Sequence, residues 1–389
     1  MTTWIKRALA LGAAVLLAAG AVVPARAEES RFGQPEFDLP CKAAMLMEQN
    51  SGTVLYAKNP DIQLPEASIT KVMTLLLTFE ALDAGKVQKD DLVPVSEHSY
   101  SMGGSQIWLE PGEEFTLDEM LRAICVSSAN DAAVAVAEFI GGSENVFVEQ
   151  MNRRAAELGM NNTHYVNACG LDAPGHVSSA RDVAILSREM LTKHPGITEY
   201  TTIWTDALRG GQTQLVNTNK LLRRYTGITG LKTGTTGGAG VCITASASRD
   251  GLDLIAVVLG AASSSERFAA ATALLDYGFA NFENGSIAPP ADAPLSLPVT
   301  GGESSEVKLD YGLPADLLLK KGEAANLQTR LEMPEKLEAP LEAGQSVGSV
   351  QVMSGEAEIA RYPVRTAESV EVLRPGSAWR RILQSMTLL

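Results

Sequence analysis

The chain has 389 residues, of which 45% are hydrophobic. That length suits two domains rather than one, and an ordinary apolar share excludes disorder as the default state. A formal net charge of −14, with no basic stripe, excludes nucleic acid as the main partner.

The first residues read as an export signal. Lys6 and Arg7 precede the apolar run ALALGAAVLLAAGAVV, and ARA precedes Glu28, which places cleavage after Ala27. An uncleaved membrane anchor is the alternative, but the run is short for a span of about 20 residues. After a short leader, CKAAMLMEQ and TVLYAKN flank the turn NSG and predict a β-hairpin. LPEASITKVMTLLLTFEALDAG predicts a helix closed by Gly85. Its apolar residues leave little polar face, which marks a central, buried helix.

FTLDEMLRAICV and DAAVAVAEFIGG predict two helical pieces separated by the polar break SSAN. SENVFVEQMNRRAAELGM predicts a further helix with Ser143 as N-cap. SSARDVAILSREMLTKHPG predicts another, closed by Pro195 and Gly196. GITGLKTGTTGGAGVCITASASRDGLDLIAVVLGA then alternates between glycines, as antiparallel strands do. SSSERFAAATALLDYGFANF returns to helix. Strands at both sequence ends with helices between them predict one α+β domain, its terminal strands in a single sheet.

Near residue 285 the composition shifts to the linker-like NGSIAPPADAP. The short β-like runs beyond it predict a small all-β domain that acts as a spacer. The last segment, SAWRRILQSMTLL, places Trp379, Ile382, Leu383, Met386 and Leu389 near helical spacing, with Arg380 and Arg381 on other faces. A basic, Trp-bearing amphipathic helix of this kind lies on a membrane surface; docking on the β domain is the alternative. The divisions are therefore 1–27 (signal), 28–284 (catalytic), 285–373 (β) and 374–389 (surface helix).

Cys41, Cys125, Cys169 and Cys242 are widely spread with no C-x-x-C pair, so a disulfide framework cannot be read and small buried side chains account for most of them. The four histidines show no H-E-x-x-H or finger spacing, and neither a metal site nor a cofactor is expected.

Three short motifs carry chemistry. Ser68 and Lys71 form S-x-x-K at the start of the buried helix, where residues i and i+3 share a face. A serine hydroxyl needs something to take its proton, and a lysine does so once burial and nearby positive charge lower its pKa. The same pattern recurs at Ser305 and Lys308, but in a β-like segment where i and i+3 point apart. S-x-N occurs at Ser128/Asn130, in the break between two apolar helices, and at Ser143/Asn145, where it fits a helix start. In the first, a hydroxyl can relay a proton and an amide can bind a substrate carbonyl. K-T-G occurs at Lys232, Thr233 and Gly234 on the first of the alternating strands. Lys232 supplies positive charge on the same face as Gly234, and glycine there permits close approach of a ligand to the backbone. Thr235 N–H and Ser68 N–H are the candidate oxyanion donors.

The order S-x-x-K, S-x-N, K-T-G resembles that of penicillin-binding proteins and serine β-lactamases. With LPEASITKVMT, SSANDAAVAVAE, LGMNNTHYVNACGLD, GHVSSARDVA, NTNKLL, GLKTGTTGGAG and LLDYGF, residues 38–283 resemble the low-molecular-mass D-alanyl-D-alanine carboxypeptidases, peptidase family S11. The resemblance implies a serine β-lactamase/transpeptidase-like domain, an antiparallel sheet flanked by helices, followed by a small all-β domain and a C-terminal amphipathic helix. It implies acylation of Ser68 by a peptidoglycan stem peptide, with Lys71 as base and Ser128 as proton relay. Asn130 would bind the substrate amide, Lys232 and Thr233 its carboxylate, and Arg267 would assist; a surface helix residue is the alternative for Arg267. β-Lactams would be covalent inhibitors, and the enzyme would work at the outer face of the cytoplasmic membrane. Two departures stand out: some relatives carry histidine at the position of Thr235 and arginine at that of Thr218. Three other readings stay open at this level, one of them a transpeptidase that passes the same acyl-enzyme to an amine acceptor. A class A-like β-lactamase would use a glutamate, but Glu157 falls in an apolar-periodic helix. A non-catalytic wall-binding protein would have lost Ser68, Lys71 or Lys232.

Overall fold

The structure is a computed structural model and describes residues 37–374 together with 32, 33, 35 and 376. The expected export signal and the C-terminal segment from residue 377 lie outside the described residues. Among the described residues no helix is long and apolar enough to cross a membrane.

The hairpin forms as expected, with β1 (Ala43–Glu48) antiparallel to β2 (Val54–Lys58). The Glu48 carboxylate closes its turn by accepting from Asn50 N and from Ser51 N and Oγ. Far along the chain come β3 (Ile228–Thr236), β4 (Gly240–Arg249) and β5 (Leu252–Ala261). The sheet order is β2-β1-β5-β4-β3, so β1 pairs with β5, Ala43 opposite Leu259. The terminal strands thus share one sheet, and β3 is one of its two edge strands.

Both faces of that sheet are covered. Ala43, Met45 and Met47 of β1 join one apolar cluster with Val72, Met73, Leu75 and Leu76 of α1 (Lys71–Asp83). Ala44 and Leu46 join a second, against Ala271, Leu274 and Leu275 of α6 (Ser264–Asn281). Every residue of β1 is buried, and each such leucine or methionine contributes about 1.5–3 kcal/mol. On the α1 side lie α2 (Leu117–Arg122), α3 (Asn130–Gly141), α4 (Glu144–Glu157) and α5 (Ala180–Lys193), whose buried residues join the first cluster. Ser143 caps α4 by accepting from Val146 N at 3.3 Å.

One element differs from expectation. The stretch before Lys71 is not α-helix but a separate 3₁₀ turn, Ala67–Thr70. Ala67 has φ +54°, a left-handed conformation that an α-helix cannot contain.

The second unit is all-β. A six-stranded sheet carries Ser346–Ser354 and Ala357–Thr366 at its centre, over a small core of Val299, Val307, Leu341 and Val370. Strand Phe282–Ser286 pairs with Asp316–Lys320, so the first strand of this unit spans the position 284/285.

Candidate active site

The three motifs converge where α1, α3 and the edge strand β3 meet. In a 3₁₀ turn residues i and i+3 eclipse, and this brings Lys71 Nζ to 3.0 Å from the half-buried Ser68 Oγ. Lys71 is fully buried. Its amine also donates to Asn130 Oδ1 and to the Cys169 carbonyl, both at 2.6 Å. Burial pulls this lysine down from the ordinary 10.5 to about 8. A neutral amine has two N–H bonds and one lone pair. Two carbonyl oxygens that can only accept take the two N–H bonds, which leaves the lone pair directed at Ser68 Oγ.

Ser128 follows a wide helical turn, Ala123–Ser127, and adopts φ +62° and ψ +31°. This left-handed kink breaks the run from α2 into α3 and projects its hydroxyl. Lys232 Nζ, on β3, donates to Ser128 Oγ at 2.8 Å and to Thr233 O at 3.0 Å. Lys232 is 1% exposed; burial first, and Lys71 second, hold it well below the ordinary lysine range. Thr233 Oγ1 donates to Thr218 Oγ1 at 2.6 Å.

Asn130 opens α3. Its Oδ1 serves Lys71, and its Nδ2 donates to Gly103 O at 2.6 Å. The expected substrate-amide ligand is therefore first a fixed support for Lys71, with one amide N–H left over. Gly234 also differs in its reason. A Cβ there would lie 2.8 Å from Glu66 O and 2.9 Å from Ser68 N, so the backbone that approaches closely is the Ser68 turn. Thr235 is exposed and points its hydroxyl back to Gly234 O at 2.8 Å.

Arg267 is not a surface residue; it is 6% exposed. Its Nη1 donates to Gly234 O and Cys242 O, both at 3.1 Å, and to Thr235 Oγ1 at 3.4 Å. It pins β3 from behind, and burial lowers it to about 10. The second S-x-N and the Ser305/Lys308 pair lie elsewhere, in α4 and at the strand Glu306–Asp310. Glu157 ends α4 and pairs with Arg154 at 3.4 Å. The four cysteines are free, and all but Cys41 are buried. Sequence reasoning missed the backbone acceptors at Cys169 and Gly103, and the buried group of Glu66, Thr70 and His176 behind the Ser68 turn. Backbone carbonyls leave no residue-type signal. Thr218 stood out only as a departure from some relatives.

A serine backed by a desolvated lysine, under a sheet edge that carries a second lysine, is the arrangement of an acyl-transferring serine enzyme. Comparison with known proteins makes the assignment closer. The family model for D-alanyl-D-alanine carboxypeptidase, peptidase S11, matches residues 29–263. That for the penicillin-binding protein 5 C-terminal domain matches residues 282–372. D-alanyl-D-alanine carboxypeptidase DacF of Bacillus subtilis is 43% identical over 334 residues, 85% of this chain and 86% of its own. Penicillin-binding protein 5 from Haemophilus influenzae superimposes with a TM-score of 0.78 at 31% identity, covering 87% of this chain and 99% of that one. Penicillin-binding protein D2 from Listeria monocytogenes, in a cefotaxime-bound form, does so at 0.59 with 33% identity, over 63% and 100%. The chain belongs to the D-alanyl-D-alanine carboxypeptidase family, peptidase S11, and has its two-domain fold.

Proposed function

We propose that this enzyme removes the terminal D-alanine of peptidoglycan stem peptides through an acyl-enzyme on Ser68. The observation that carries this reading is the set of three neighbours on Lys71 Nζ, two carbonyl oxygens and Ser68 Oγ, toward which the amine presents its lone pair once deprotonated. Lys71 takes the serine proton as Oγ bonds to the penultimate D-Ala carbonyl carbon. Ser68 N–H and Thr235 N–H receive the oxyanion. The C–N bond then breaks, and Ser128 passes a proton to the departing amine. Water adds to the acyl carbon, its second proton returns to Ser68, and the shortened peptide leaves. The terminal carboxylate sits against Lys232 and Thr233, and its negative charge restores the Lys232 cation that burial disfavours. Asn130 holds Lys71 and offers its remaining N–H to a substrate amide. Arg267 acts through β3.

β-Lactams acylate the same serine in this reading, as the cefotaxime-bound relative suggests. Residues 1–27 export the chain. Residues 28–284 carry catalysis, residues 285–373 space it, and residues 374–389 hold it on the outer face of the cytoplasmic membrane. The test is D-Ala release from a D-Ala-D-Ala peptide, with fluorescent penicillin labelling in parallel. Ser68→Ala should abolish both. Normal release by that variant overturns the mechanism. Rapid penicillin turnover without D-Ala release makes the enzyme a β-lactamase instead.

A further inference from the structure

Behind the nucleophile turn lies a buried polar group with no part in the scheme above. Glu66, Thr70 and His176 are 0%, 0% and 3% exposed. His176 Nδ1 accepts from Val166 N at 3.1 Å. That nitrogen therefore carries the lone pair, and Nε2 carries the proton. His176 Nε2 lies 2.8 Å from Thr70 Oγ1, so the histidine donates and the threonine accepts. Thr70 Oγ1 in turn lies 2.9 Å from Ala67 O and 3.1 Å from Glu66 Oε1.

The remaining proton can be placed by counting. Glu66 Oε2 is buried with no hydrogen-bond partner, a poor environment for a carboxylate. Burial accordingly raises Glu66 to about 8, and the same cause lowers His176 to about 4. A neutral Glu66 donates to Thr70 Oγ1 as His176 does. Two donors then fill the threonine oxygen, and its single O–H is left for Ala67 O.

Ala67 O matters because of what stands on the other side of its peptide. In a trans peptide the C=O and the next N–H point in opposite directions. The carbonyl that Thr70 holds therefore aims Ser68 N–H the other way, toward β3, where Gly234 packs against Ser68 N. Ser68 N–H donates to no group among the described residues. Ala67 keeps a left-handed φ of +54°, a conformation that alanine holds only against opposition. Gly170 closes the same carbonyl from outside; a Cβ there would run into Ala67 O and Thr70 Oγ1.

We propose that His176 and Thr70 are positioning residues that lock the Ala67–Ser68 peptide, so that the Ser68 N–H stands ready as an oxyanion donor. The inference rests on Ser68 being the acylated residue. Glu66 completes the lock as a neutral donor.

The test compares penicillin acylation rates, kcat and KM for D-Ala release, and the infrared stretching frequency of the acyl-enzyme carbonyl. Thr70→Val keeps the shape and removes the hydroxyl; His176→Phe keeps the ring and removes the N–H. Each should slow acylation and lower kcat by about tenfold to a hundredfold, with KM nearly constant, since a lost donor acts mainly in the transition state. The acyl carbonyl frequency should rise as its hydrogen bond weakens. Thr70→Ser should restore both readings, and Glu66→Gln should keep them, because its amide also donates to Thr70. Acylation within about twofold of wild type and an unshifted carbonyl band, in either folded variant, overturn the proposal. If one variant fails to fold, the other decides. Wild-type enzyme that takes no label at Ser68 refutes the acyl-enzyme reading instead.

Discussion

In the proposed mechanism Lys71 is made into a base by its acceptors as much as by its burial. Its two carbonyl partners fix which way the lone pair points, and burial sets its value near 8. Acylation should therefore rise about tenfold per pH unit below that value and level off above it. Lys71→Ala should slow acylation on the order of 10²–10⁴-fold; stopped-flow labelling with a fluorescent penicillin measures both. Glu66 makes a second, independent prediction. Its folded value of about 8 exceeds the ordinary 4.5, because of burial first and Asp182 nearby; Tyr165 also faces it. The raised value means that its contribution to stability is complete below about 4.5 and lost as pH rises through about 8. Glu66→Gln lacks that slope. Its melting temperature should gain on wild type between about pH 5 and about pH 8, and a constant difference would refute the assignment. At this scale the sequence was half legible. That Ser68, Lys71, Ser128 and Lys232 come together was readable, because their spacing and residue types mark them as one cluster. The partners that aim them were not, because Cys169 and Gly103 contribute only backbone oxygens, from loops distant in sequence.

Among elements, the 3₁₀ turn at Ala67–Thr70 and the strand β3 are a matched pair. The turn presents Ser68, and β3 lies against it closely enough to require glycine at 234. Gly234→Ala should force the two apart and slow acylation at least tenfold, on the scale of a displaced oxyanion donor. Gly237→Ala meets nothing within 4 Å and should be silent. Labelling kinetics of the two variants, with their melting curves, make the comparison; equal rates would show that the contact does not matter. Hydrophobic patterning fixed the elements well: the hairpin, α1, α6 and the three alternating strands stand where the sequence placed them. It could not distinguish a 3₁₀ turn from the first turn of α1. Both bury Ile69 and Val72, and the departure lies in one dihedral angle at an alanine, whose side chain carries no preference for it.

Across the whole molecule, the proposed reading assigns catalysis and attachment to different segments. Deleting residues 376–389 should release the protein from anionic lipid vesicles while D-Ala release in solution is retained; a sedimentation assay decides, and unchanged vesicle binding would sink the surface-helix reading. The sheet has a consequence of another sort. β1 lies between β2 and β5 and pairs across more than half the chain, Ala43 with Leu259. A nascent chain cannot complete this sheet until residue 259 has been synthesised, and pairings so remote in sequence form slowly. Until then Ser68 has no Lys232 within reach, and the apolar faces of β1 and α1 are uncovered. The site can therefore assemble only late in synthesis, after the strand that closes the sheet has been made.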